Sequence, residues 1–153
     1  MLIFKYLHIL AMFSAVGSII GTEALLHRVA RSGDVRATRT AFALARPMNV
    51  ITPAVFLIGV GFGLLAAITG GIDLLAPWLL LAYLLFGIMF ALGGAVQGGW
   101  VVRVAEAAAG SDPAHPSSEL QRLVHDRTAL TAMYVGWILL VAIIFLMVVK
   151  PFS

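Results

Sequence analysis

At 153 residues, with 61% hydrophobic and only 11% charged side chains, the chain has room for one domain and more apolar surface than such a globule can hide. Its lack of cysteine excludes disulfides, thiolate-bound zinc, iron–sulfur clusters and a cysteine nucleophile. The net charge of +3 comes from arginines clustered between apolar segments, which points to membrane orientation and to no nucleic-acid partner.

Four apolar stretches follow one another, at about 2–26, 48–69, 76–102 and 128–149. Each reaches the roughly 20 residues that cross the hydrocarbon core as a helix, and none shows the strict alternation of a barrel strand. The expected fold is all-α, a polytopic four-transmembrane-helix bundle forming a single domain over 1–153. The chain is expected to sit in the lipid bilayer, in contact with other membrane proteins or with copies of itself.

The first stretch opens on KYLHILAMF, with Lys5 and His8 at the head of an apolar helix. Its apolar core is too long for a signal peptide and runs into EALLHRVAR without a clean cleavage signal, so it is expected to be retained. Small residues fall at Ser14, Gly17, Ser18 and Gly21, and such seams let helices approach closely in lipid. The side carrying Lys5, His8, Met12, Ala15, Ile19 and Glu23 lies largely opposite that seam. Glu23, four residues before His27, can contact it along the helix, and a structural ion pair with Arg28 or Arg46 at the cytoplasmic rim is expected in preference to a proton relay.

The first connection holds Arg28, Arg31, Arg36, Arg39 and Arg46 against Asp34 alone. Its DVRATRTAFALAR run has helical composition before Pro47 stops or kinks it, and should form a short cytoplasmic helical extension of span two. In the second span Pro53 removes a backbone hydrogen bond, and GVGFG supplies a seam through Gly59 and Gly63. The TGGID link carries no basic residue. The third span contains GGAVQGG, whose Gly94 and Gly98 extend the small-residue pattern and whose Gln97 suits an interhelical hydrogen bond. In the third connection Ser117 of SSEL suits a helix N-cap.

All eight arginines lie in or beside connections one and three, against Lys5 and Lys150 elsewhere. The positive-inside rule then expects those connections in the cytoplasm and both termini outside.

His8 has two readings: an interfacial histidine bonded to water, a carbonyl or a headgroup, or an axial ligand to a haem iron between helices. His27 lies at the opposite end of the span, and His115 and His125 lie in or next to connection three, so none can join His8 across one haem.

KYLHILAMFSAVG, the arginine-rich loop, RPMNVITPAVFLIGVGFGLL and the terminal VVKP together resemble a bacterial family of predicted small four-helix integral membrane proteins of unknown function. The chain is also similar, over shorter motifs, to the HemJ-type protoporphyrinogen oxidases. There Lys5 and His8 match a first-span K-x-x-H motif, Arg46 to Asn49 match an arginine-to-asparagine segment, and Lys150 and Pro151 match the ending. That resemblance implies haem b held through His8. The oxidases also carry a lysine and a histidine in the third span, and PWLLLAYLLFGIMFALGG has neither. A first-span histidine is shared with copper-resistance-type membrane proteins, but one histidine and scattered methionines fall short of a copper path.

The expected function is that of a small protein of the bacterial inner (cytoplasmic) membrane without a catalytic set, acting as an accessory subunit or interaction partner. No cofactor is then needed. The alternative is a haem-binding redox protein or oxidase-like enzyme using His8. A transporter or channel ranks third, because no chain of intramembrane acids and bases is visible.

Overall fold

The computed structural model describes residues 2–151. Seven α-helices and one π-helical segment follow in order: α1 (Leu2–Ala30), α2 (Val35–Ala45), α3 (Met48–Thr69), α4 (Pro77–Ala91), the π segment (Leu92–Gly98), α5 (Gly99–Gly110), α6 (Ser118–Val124) and α7 (Arg127–Val149). No strand occurs among the described residues. The four long apolar helical runs make this the all-α, four-span membrane bundle that the composition requires.

Local chemistry sets the ends of the helices. Gly33 adopts φ +79 beyond α1, a conformation open to glycine at little cost. Asp34 then caps α2, its carboxylate accepting from the amides of Arg36 and Ala37 at 2.8 and 2.9 Å. At the end of α3, Gly71 (φ +68) donates to the Ile68 carbonyl and Ile72 to that of Ala67, the paired bonds of a Schellman cap. Pro77 occupies the first turn of α4, where its missing N–H costs nothing. Ser117 caps α6 through the Leu120 amide, as its SSEL context predicts, and Asp126 separately caps α7.

The helices outrun the apolar stretches. α1 continues to Ala30, and α4, the π segment and α5 form one continuous run from Pro77 to Gly110. Hydrophobicity ends where charge begins, but the backbone stays helical because these extensions have a core of their own. Leu26 and Ala30 of α1, Val35 and Phe42 of α2, Trp100, Val104 and Ala108 of α5 and Leu120, Leu123 and Val124 of α6 form one buried cluster at the arginine-rich end. α2 is the predicted short helix, and it lies against α1 and α5 with Val35, Thr38, Phe42 and Ala45 inward.

Two of the loop arginines are built into this cap. Arg39 donates from Nε to the Ala108 carbonyl at 2.7 Å and from Nη2 to the carbonyls of Ala109 and Ser111, closing the C-terminal end of α5. Arg31 reaches the Val124 carbonyl at the end of α6 at 3.5 Å. Arg28, Arg36 and Arg46 are exposed.

Within the spans the helices pack as two pairs, α1 on α3 and α4 with the π segment on α7. Ala15, Phe56 and Leu140 close the space between the pairs midway, helped by a ladder in which Phe86 lies 5.3 Å from Phe56 and 5.8 Å from Phe90.

The predicted small-residue seams separate on this scaffold. Gly59 is buried, and a Cβ there would come 3.2 Å from Ala11 Cβ and 3.3 Å from Met12 Cε. A Cβ on Gly63 would lie 2.8 Å from two atoms of the His8 ring. These glycines let α1 and α3 touch. Gly17 and Gly21 are exposed and Gly94 is open, each with nothing within 4 Å of a Cβ, while at Gly98 a Cβ would meet only the Gly93 carbonyl at 3.5 Å. Ser14, also exposed, bonds back to the Leu10 carbonyl of its own helix, and Ser18 lines a cavity. Within one chain, α1 therefore turns its polar side, with His8, Met12 and Ala15, to α3 and the bundle. Its glycine side faces out.

Candidate functional site

Below the Phe56–Leu140 closure and above the arginine-end cap, the two helix pairs part around a cavity of about 430 Å³. That volume falls in the range of small-molecule sites. Every spanning run contributes to it, and most of its wall is apolar: Ile19, Phe56, Met89, Phe90, Val101 and Leu140. Polar side chains gather among them, namely Ser18, Thr22, Glu23 and His27 from α1, Asn49 and Thr52 from α3, and Gln97 from the π segment.

The π segment forms part of the cavity wall. A wider helical turn interrupts the α ladder, a feature that recurs at functional sites. Here it carries Gly93 and Gly94, whose absent side chains leave the wall open.

Hydrogen bonds fix the polar groups. Gln97 donates from Nε2 to the Ala129 carbonyl at 2.8 Å, which leaves its Oε1 facing His27 Nε2 at 3.3 Å. Because that oxygen can only accept, His27 carries its proton on Nε2. The His27 ring lies flat on Trp100, centroids 4.0 Å apart and planes within 6°. Trp100 is 1% exposed, and its Nε1–H donates to the Leu123 carbonyl at 2.9 Å. One strut thus joins α1, the π segment, α5, α6 and α7, with Gln97 as the interhelical link foreseen for it.

Glu23 departs from expectation. Among the described residues no lysine, arginine or histidine nitrogen lies within 4 Å of its carboxylate, so the expected ion pair with Arg28 or Arg46 is not formed. Both arginines are exposed at the rim, whereas Glu23 turns inward along α1. Its Oε2 accepts instead from Trp137 Nε1 of α7 at 2.9 Å.

A second cavity, of about 510 Å³, lies nearer the arginine-rich end and is lined by Arg28, Arg31, Ser32 and Tyr134. His27 and Trp137 border both spaces and form the partition between them.

His8 lies apart, fifteen residues before Glu23, or about 22 Å along the helix axis at 1.5 Å per residue. Its Nδ1–H donates to the Gly59 carbonyl at 2.7 Å, and it borders neither cavity. Met12, one turn on, packs toward Gly59, whereas Met89 faces the first cavity and Met133 the second.

The sequence reading missed Trp100 and Trp137 as members of the polar cluster. A usable signal was present: an acid, a histidine and a glutamine inside spans need partners, and the indole N–H of tryptophan is a donor suited to an apolar wall.

No curated protein and no solved structure matches the chain. A family model covering residues 2–151 does, and the chain belongs to that family, described as Predicted integral membrane protein (DUF2269).

Proposed function

We propose that this protein binds a small amphipathic molecule within the membrane, in the cleft between its two helix pairs. The carrying observation is the cavity itself, apolar over most of its wall and polar at Glu23, Asn49 and Thr52. A subunit role through surface contact alone has less behind it, because lipid covers the exposed apolar faces of the spans equally well. In the bacterial cytoplasmic membrane, the arginine-rich cap lies inside and both termini outside. Support for this is the concentration of all eight arginines at one end.

Orientation is checked by single cysteines in intact cells. Leu75→Cys, at an exposed position before α4, is expected to react with an impermeant thiol reagent, and Ala114→Cys to resist it. The opposite labelling inverts the protein.

A second reading places haem b on His8. The bond to Gly59 holds the proton on Nδ1 and leaves the Nε2 lone pair available, the arrangement in which an imidazole serves as a metal donor. His8 would hold the haem iron, and haem would supply electron-transfer chemistry there. No second histidine stands at its depth.

One preparation tests both readings. From protein purified in mild detergent, mass spectrometry is expected to recover a small molecule that Gly94→Leu, which fills the cleft, loses. Identical extracts from both proteins remove the cleft as a binding site. A Soret band abolished by His8→Ala, with helicity kept, establishes haem, and its absence from the native protein ends that reading.

A further inference from the structure

From the charge and hydrogen-bond inventory of the cleft we infer that its guest is an amphipathic amine, with the ammonium against Glu23 and the hydrocarbon along Ile19, Phe56 and Phe90. The inference rests on the cleft being a binding site and adds the chemical class of what it takes.

His27 and Gln97 are committed elsewhere: the Nε2–H of His27 to Gln97 Oε1, and the Gln97 amide to the Ala129 carbonyl. Asn49 and Thr52 are neutral. Among the described residues Glu23 is left as the one acid on the wall, and there its only partner within hydrogen-bond reach is the Trp137 N–H on Oε2. A carboxylate taken out of water calls for a counter-charge and for donors to its remaining lone pairs. An ammonium group supplies both, with three N–H donors and a positive charge. The Trp137 indole and the Phe90 ring, which also border the space, offer aromatic faces that favour a cation. An anionic head would face Glu23 with no lysine or arginine among the described residues of that wall, and a neutral head would leave the ionised carboxylate without a counter-charge. Beyond the head, no atom lies within 4 Å of a Cβ built on Gly93 or Gly94, so the hydrocarbon has room beside the π segment.

The test uses the full chain in a non-ionic detergent. Trp78→Phe serves as background, so that emission reports on Trp100 and Trp137 at the cleft. Decylamine, decanol and decanoate are titrated separately. Decylamine is expected to half-saturate the emission change at a concentration at least tenfold below decanol, with decanoate inert. Glu23→Gln should bring amine and alcohol to parity, and Glu23→Asp should keep a preference for the amine. In the chain with native Glu23, the preference should fade above pH of about 10, where an alkylamine loses its proton. That arm needs no Glu23 variant to fold. Equal binding of decanol and decylamine, or a preference that survives Glu23→Gln, overturns the amine assignment while leaving a binding cleft. If no probe changes the emission, and Gly94→Leu behaves the same, the cleft itself fails.

Discussion

Trp100→Ala is expected to destabilise the protein by about 3–5 kcal/mol, the range for truncating a large buried aromatic side chain. Trp100 is 1% exposed and sits where α5 meets the ends of α1, α2 and α6. Phe42 packs against it with ring centroids 5.6 Å apart and His27 stacks on it at 4.0 Å, so the cavity left behind has aromatic walls that cannot collapse far. Its N–H also donates to the Leu123 carbonyl, a bond across elements that the substitution removes while the Asp126 amide still reaches that oxygen. Trp100→Phe keeps much of the packing and loses the hydrogen bond, so it should fall between. Thermal unfolding in detergent, followed by helical circular dichroism, ranks the three. A melting temperature unchanged in Trp100→Ala would mean that the arginine-end cap does not hold the bundle together.

Gly63→Leu is the second large effect, about 1–3 kcal/mol through overpacking. Even the first carbon of the new side chain would lie 2.8 Å from the His8 ring, where real contacts do not occur. Either α3 retreats from α1, or His8 swings out and gives up its bond to the Gly59 carbonyl. Gly21→Leu is the matched control. The same change of size at an exposed position with nothing nearby should leave the stability of the single chain within about 0.5 kcal/mol. Equal losses in both variants would show that Gly21 is covered by another copy or a partner.

That contrast shows where sequence reasoning ran out. The four spans were legible because about 20 apolar residues in a row have few alternatives to a membrane helix. Their facing was not. α1 carries a small-residue side and a polar side, and each has a physical reason to turn inward: close backbone approach for one, shelter from hydrocarbon for the other. His8 and Glu23 decide the matter through partners 51 and 114 residues away in sequence, which local periodicity does not encode.

The cap was hidden for a different reason. DVRATRTAFALAR reads as a short helix and SSEL as a helix start, but nothing local to them shows that Phe42, Leu120 and Leu123 within or beside them complete a core with Trp100. The candidate site was partly visible. Glu23 and Gln97 stand out as polar groups within spans, but their convergence with Trp137 across three elements needed the fold.

The π segment also constrains the length of the chain that can build this fold. Ala82 and Trp100, eighteen residues apart, would share one azimuth on an unbroken α-helix, since eighteen residues make five turns. The wide turn between them acts as an inserted residue and rotates everything beyond it by roughly 100°. One continuous rod can therefore set Leu79 and Ala82 by one set of neighbours and Val104 and Ala108 by another. A one-codon deletion between Leu92 and Gly98 would undo that offset and turn the capped end about the rod's axis. Length along this stretch is thus constrained by geometry, in addition to the identities of Gly93, Gly94 and Gln97.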